Sequence, residues 1–409
     1  MSGDDLPKIR RLQISAGQWE NRPVVVLQDP LGLTDQAVAV PKEVAPLIEL
    51  CDGSRDIATL RTAFELRTGL KLGPDYVEKM LTQLDEALLL ENERFLQAHR
   101  ETVERFRAAP FRPPKMAGKV YPSTVEWLDR KFREYFEAVA SDGADVDVVG
   151  SVRGLVSPHI DYQRGGAIYA KVWQQAAEAA KEAEVAVVLG TNHHDCQKLI
   201  TMTRQSYSTP WGVMPTASDV VDEVEADLGD KEVFAEELHH RTEHSVEAAA
   251  VWLHYFVKDT SCKMVPVLCG SFHEFTHGNA LPDNDERLHK FVEAVRRSTA
   301  DRRTLIVAAA DLAHAGPAFG DPYPIDVTHR ASMSAADTEL MDCIARGDAE
   351  GTFSKVKAEG DRRRICGLAP IYLALRILGE STGRVTGYEH CPADQQGTSF
   401  VSICGMVLS

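Results

Sequence analysis

The chain has eight cysteines but no C-x-x-C pair, and they are scattered singly through 409 residues. A disulfide framework is therefore not expected, and the pattern fits reduced cytosolic thiols. Apolar runs are short: none approaches the ~20 residues that span a bilayer. The opening MSGDDLPKIRRLQ lacks the apolar segment of a signal peptide. Positive charge is also scarce, with 45 Lys and Arg against 61 Asp and Glu and a net charge of −16. That balance disfavours partners held by a general basic surface, nucleic acid and anionic membranes alike. Together these absences predict a soluble cytoplasmic protein with no nucleic-acid or membrane partner.

What is present is ordinary globular material. Apolar residues make up 44% and charged residues 26%, enough for a real core, in a length that suits about two or three domains. The first hundred residues read as strands followed by about three helices. Pro23-Val24-Val25-Val26-Leu27 is β-like, and Asp29-Pro30 supplies a turn. Ile57, Leu60 and Phe64 share a helical face that Gly69 ends. Pro74-Asp75 opens a stronger helix with Val77, Met80, Leu81, Leu84 and Leu88 on one side. The segments LCDGSRDIATL and LTQLDEALLLEN resemble the peptide-binding winged-helix domains of the PqqD type over residues 10–97. The resemblance implies a small winged-helix-like α+β domain over 1–107 that binds a peptide or partner; a packing module without a ligand is the other reading. Pro110, Pro113, Pro114 and Pro122 crowd the next stretch, so a Pro-rich linker is expected over 108–122.

Residues 115–409 alternate between strand and helix patterns. VRGLVS (152–157), VAVVLG (185–190), MVPVLC (264–269) and TLIVAAA (304–310) read as strands buried on both faces. AKVWQQAAEAAKEA (170–183) and SVEAAAVWLHYFV (245–257) read as helices between them. This alternation predicts an α/β domain with a mostly parallel sheet covered on both sides.

Three of those strands run into histidine: Pro158-His159-Ile160-Asp161-Tyr162, Thr191-Asn192-His193-His194, and Asp311-Leu312-Ala313-His314. Ligands of open α/β sheets bind outside the carboxyl ends of the strands, so these ends are expected to converge on one crevice. A fourth segment, DRRRICGLAPIYLALRIL, begins its helical pattern just after Cys366-Gly367. A helix N-terminus behind Arg362, Arg363 and Arg364 favours a thiolate at Cys366. His240-Arg241-Thr242-Glu243-His244 spells the H-x-x-E-H of an inverted zinc peptidase. The alternative reading makes Glu243, His244 and Glu247 orienting groups for the main crevice.

The motifs P-H-I-D-Y, G-T-N-H-H, E-H-S-x-E, D-x-x-H-x-G and C-G-x-x-P-I, in this order, resemble the Memo family, also called protein B of the AmmeMemoRadiSam system. The resemblance begins at Ala117-Gly118 with Tyr121-Pro122 and runs to the last strand pattern. It implies a three-layer α/β/α fold similar to the class III extradiol dioxygenases, which bind non-haem iron. By the same resemblance the metal ligands fall on His159, His193 and Cys366, with Asp311 and His314 lining the site and Glu243 and His244 matching a family segment. Where the family commonly has P-H-A-G-Y, this chain places Ile160 and Asp161 beside His159.

Two imidazoles and one thiolate make a three-ligand site with open positions, which suits a working metal rather than a structural zinc. One transition-metal ion is expected, iron before copper or zinc. The expected activity is a metal-dependent oxidoreductase with His314 as acid/base, Asp311 orienting it or meeting a substrate donor, and His194 contacting substrate. Asp161, Tyr162, Glu243 and His244 are expected to support the ligands. The alternatives are a binding protein without turnover and a metallohydrolase. A small molecule or peptide is the expected substrate, with a radical SAM protein and a small companion as partners implied by the resemblance.

Overall fold

The computed structural model describes residues 6–141 and 151–409, and the chain divides into two compact units, residues 1–108 and 109–409. In the first, β1 (Gln13–Trp19), β2 (Arg22–Gln28) and β3 (Ala37–Pro41) form an antiparallel sheet. Glu20 and Asn21 turn the first hairpin with φ of 49° and 62°, the left-handed pair that a two-residue turn requires. Helices Pro46–Leu50, Ile57–Thr68, Pro74–Glu86 and Glu93–Ala108 follow. Asp56 caps the second by accepting from the Thr59 N–H, and Gly69 closes it at φ 73°. Leu27, Val40, Leu60, Phe64, Val77 and Leu84 fill the core between sheet and helices. Leu88 does not continue the expected helical face. The helix ends at Glu86, Leu88 takes φ 57°, and Leu89 and Leu90 are buried instead.

The proline-rich stretch is not a free connector. From Arg112 onward it is built into the second unit, because one buried carboxylate collects the N–H groups that no regular structure uses. Glu247 accepts from the Lys115 and Met116 N–H groups at 3.1 and 2.9 Å and from Tyr121 Oη at 2.5 Å, and it pairs with Arg112. Arg112 also exchanges backbone hydrogen bonds with the strand region around Ser206 and Ser208.

The second unit is built on β4 (Gly154–Ser157), β5 (Val185–Thr191), β6 (Ile200–Met202), β9 (Lys263–Cys269), β10 (Thr304–Ala309), β11 (His314–Ala315), β12 (Gly383–Pro392) and β13 (Phe400–Leu408); β7 (Tyr207–Thr209) and β8 (Gly212–Met214) form a separate hairpin. The eight strands lie in the order β11-β13-β4-β10-β5-β9-β6, with β12 on β13. The four expected strands β4, β10, β5 and β9 are mutually parallel. The flanks are antiparallel, so the sheet is mixed overall and parallel only at its middle.

Each middle strand feeds both faces. Val187 and Leu189 of β5 pack with Val220, Phe291 and Leu373 on one side. Ala186 and Val188 pack with Phe132, Trp173 and Trp252 on the other. This is the reason for continuous apolar runs in the sequence, and it makes the unit an α/β/α sandwich. The helix Ser245–Val257 lies where the pattern predicts it, whereas the pattern at 170–183 belongs to two helices, Tyr162–Gln175 and Ala177–Glu182. The earlier start includes Gly165 and Gly166, residues that weaken a helical reading. At Gly166 any Cβ would fall 2.3 Å from the Tyr135 ring, so close packing requires the glycine.

Candidate metal centre

Three adjacent parallel strands deliver the site. β4 runs into His159, β10 into Asp311 and β5 into His193, in the spatial order β4-β10-β5. Cys366 comes from the turn before the helix Leu368–Leu378. That turn reaches the end of β10 because residue 367 is glycine: a Cβ there would lie 2.5 Å from the Asp311 carbonyl oxygen. The Gly367 N–H donates to the same carbonyl, and Thr191 Oγ1 donates to the Cys366 carbonyl at 2.9 Å.

Donor atoms of His159, His193 and Cys366 all lie within 4.8 Å of one another. His159 is buried, and its Nδ1 donates to the Ala309 carbonyl at 2.9 Å, which leaves Nε2 as a lone pair 3.4 Å from Cys366 Sγ. His193 Nδ1 donates to Glu243 Oε1 at 3.0 Å, which likewise frees its Nε2. Two donors bound at about 2.1 and 2.3 Å around a tetrahedral ion stand about 3.6 Å apart, so the observed N–S separation fits one shared metal. Burial, followed by the neighbouring imidazoles of His193 and His244, holds His159 well below the ordinary histidine value, so it stays neutral.

Glu243 anchors this group. Burial alone would raise it, but hydrogen bonds from His193 and His244 outweigh that and hold its carboxyl well below the usual value. It also accepts the His193 N–H at 2.8 Å and the His244 and Ser245 N–H groups at 2.7 and 3.1 Å, at the start of the helix Ser245–Val257. Glu243, His193 and His244 also bring ligand atoms within 4.8 Å of one another, but Glu243 Oε1 is taken up by ring and backbone N–H groups, so in this arrangement it orients the two imidazoles. Its partner His244 stacks on His193 at 4.6 Å between ring centroids and stands 5.3 Å from His159. Burial works against charge on His244, yet Glu243 pushes it above the ordinary value.

Asp311 accepts the His159 N–H at 2.9 Å and is raised by burial. It does not orient His314 by a hydrogen bond. His314 Nδ1 instead faces the carbonyls of Leu312 and Arg364 at 3.2 and 3.1 Å, and burial lowers it. Its Nε2 is left as an acceptor.

Several expected roles fall elsewhere. His194 turns away from the cluster: its Nε2 meets Thr242 Oγ1 at 3.0 Å and its ring stacks on His239. Asp161 caps the helix Tyr162–Gln175 and pairs with Arg164, so its carboxylate is spent beside the site. Tyr162 is part of the aromatic core and donates to the Ala248 carbonyl at 2.6 Å. The thiolate expected from the arginines also fails. Arg363 is paired with Asp337 and Glu359 and Arg364 with Asp321, and burial, then Asp311, pushes the Cys366 thiol well above its ordinary value.

His240 is no peptidase ligand either. It is buried in the short 3-10 helix Glu237–Arg241, bonded to Tyr207 and to the Thr201 carbonyl, and the helix breaks before His244. Arg112 donates to the carbonyls of His240 and Glu243, which fixes this break.

Beside His193 and Cys366 lies a cavity of about 230 Å³ whose other walls include Asn192, Phe272, Thr276, Asp361 and Arg364. The expected site set contains none of these five. Ser271-Phe272 follows the end of β9, so the strand-end rule that located the histidines also pointed here.

A sequence model of the Memo-like protein family matches residues 112–407, the span that holds every residue of this centre. A MEMO1 family protein of Aquifex aeolicus is 27% identical over 388 residues, covering 93% of this chain and 95% of its own length. A match of that span reaches into the first unit. A MEMO1 family protein of Methanosarcina mazei is 26% identical over 284 residues, 68% of this chain and 91% of its own. One of Thermus thermophilus is 25% identical over 325 residues, 79% of this chain and 90% of its own. The motifs, the α/β/α fold and the family match agree: the chain belongs to the Memo-like family.

Proposed function

We propose that this chain binds one transition-metal ion through His159 Nε2, His193 Nε2 and Cys366 Sγ, and that the centre is a non-haem oxidoreductase site similar to that of extradiol dioxygenases. The observation that carries the reading is the tautomer pattern. Ala309 and Glu243 each take an Nδ1 proton, so both Nε2 lone pairs are left for a metal beside the thiol. Iron is the first candidate, because two imidazoles and one anionic ligand with open positions resemble the facial site of iron oxygenases; the softer thiolate also suits copper or zinc. When bound, the ion would supply a Lewis-acidic, redox-capable centre with positions open to substrate.

The chain's own residues divide the remaining work. The cavity beside Cys366 holds a small substrate or a peptide side chain, with Phe272 and Leu368 as apolar wall and Asn192 and Thr276 as polar contacts. His314 does not line that cavity; neutral and with Nε2 as an acceptor, it would take a proton from a substrate that extends from the cavity over the metal group. His244, whose charge Glu243 favours, returns one. A metallohydrolase would use the same two groups. Catechols, peptides and esters assayed with and without oxygen separate the readings: oxygen-dependent turnover supports ours, and oxygen-independent ester cleavage supports hydrolysis.

The first unit is proposed as a winged-helix-like adaptor. Its β1 is an edge strand with Ile14 and Trp19 exposed, a surface suited to strand addition by a peptide or a companion protein of a radical SAM pathway. All eight cysteines are free, which supports a reducing, cytoplasmic setting. No helix among the described residues is long and apolar enough to cross a membrane.

A further inference from the structure

Asp337, on the helix Val327–Ala345, is fully buried, and none of its hydrogen bonds goes to the metal group. One oxygen accepts from Arg363, and the other accepts from Ser402 Oγ at 2.6 Å and Tyr388 Oη at 2.7 Å. Arg363 is buried too and spends its other N–H groups on Glu359. A carboxylate so far from water persists only when it is paired and hydrogen-bonded, and this one is.

Its partners lead to both halves of the site. The Arg363 carbonyl accepts the His314 N–H at 2.8 Å, the Arg364 carbonyl faces His314 Nδ1, and Arg364 Nη1 donates back to the His314 carbonyl. On the other side Ser402 Oγ accepts the Ala313 N–H at 2.8 Å, and Ser402 trades two backbone hydrogen bonds with Leu312 and Ala313. The turn that carries Cys366 also holds Asp361 at φ 48° and Arg364 at φ 54°. Non-glycine residues keep such angles only where their surroundings impose them.

The geometry points to Asp337 as a positioning residue: by holding Arg363 on one side and Ser402 on the other, it fixes the turn bearing Cys366 against the loop bearing Asp311 and His314. The consequence for metal binding rests on the ligand role proposed for Cys366.

Cobalt(II) alone is the probe. Asp337→Asn is expected to weaken cobalt binding by ~10-fold or more and to diminish the thiolate-to-cobalt charge-transfer band, while keeping a cooperative thermal transition. In metal-free protein, alkylation of Cys366, read on its own peptide, should be several-fold faster than in wild type. Asn could leave Arg363 buried and unpaired and so prevent folding. The double variant Asp337→Leu with Arg363→Met removes the buried pair, leaves only the part-exposed Glu359 without its partner, and should show the same losses. Folded variants with wild-type cobalt affinity, a full thiolate band and unchanged alkylation would overturn the assignment. If wild type itself shows no thiolate band, the ligand role of Cys366 fails instead, and the alkylation comparison alone decides the positioning role.

Discussion

Cys366 Sγ stands 3.4 Å from His159 Nε2, the nitrogen left bare when Nδ1 donates to the Ala309 carbonyl. The thiol is held above its ordinary value by burial and then by Asp311, while His159 is held neutral. Metal binding must therefore expel the thiol proton. Apparent affinity should rise about tenfold per pH unit through the neutral range, with one proton released per ion. Chelator-competition titrations from pH 6 to 8 check this; a flat profile would remove Cys366 from the ligand set. Free Cys366 should also alkylate slowly, contrary to what three preceding arginines suggest.

Glu243 makes a second pH signature. Its folded value lies below the ordinary carboxylate value. It therefore adds stability that is fully present above its unfolded pKa, roughly 4.3, and is lost as pH falls through the folded value. Thermal melts of the metal-free protein between pH 7 and 3 should fall more steeply for wild type than for Glu243→Gln. The same variant should lose about 10–100-fold in metal affinity, because Gln keeps only one acceptor oxygen and its NH2 must face either the ring or the backbone N–H of His193, both of which Glu243 accepts. Parallel acid profiles and unchanged affinity would contradict this.

The four parallel strands, the helix after Cys366 and the histidines at strand ends were all legible in the sequence, because strands buried on both faces write continuous apolar runs. Local pattern did not carry side-chain direction; only the family resemblance separated His193 from His194. His193 and His194 are neighbours, yet one faces the cluster and the other faces Thr242. Which histidine joins the metal group depended on Glu243, fifty residues away, and that also brought His244 against the ligands. Arg363 and Arg364 look in the sequence like charge beside a thiol, but their partners, Asp337 and Asp321, come from distant segments. Local pattern carries period and burial; it does not carry the partner that neutralises a charge.

Arg112 gives a further test of the proline-rich segment. It is paired with Glu247 and has no exposed side-chain surface. Replacing it by Ala should destabilise residues 109–409 by about 3–5 kcal/mol, the range for breaking a buried ion pair. Urea unfolding of that fragment measures the loss. A fragment starting at residue 115, which lacks Arg112, should show a similar loss; stability equal to that of 109–409 would make the segment a true linker.

Residues 1–108 enclose their own core of Leu27, Leu60, Phe64 and Val77. That fragment should unfold cooperatively by itself, and 109–409 should bind metal without it. Separate melts and metal titrations check both; an insoluble 109–409 would argue for one folding unit.

Metal content tests the His159–His193–Cys366 centre most directly. Protein purified without oxygen, as wild type and as His159→Ala with His193→Ala, should be analysed for iron, copper and zinc after confirmation that both are folded. One ion per chain in wild type and none in the double variant is the expected result, since two of three ligands are gone. Stoichiometric metal in the double variant, or wild type that takes up none when supplied with each ion, would contradict the assignment.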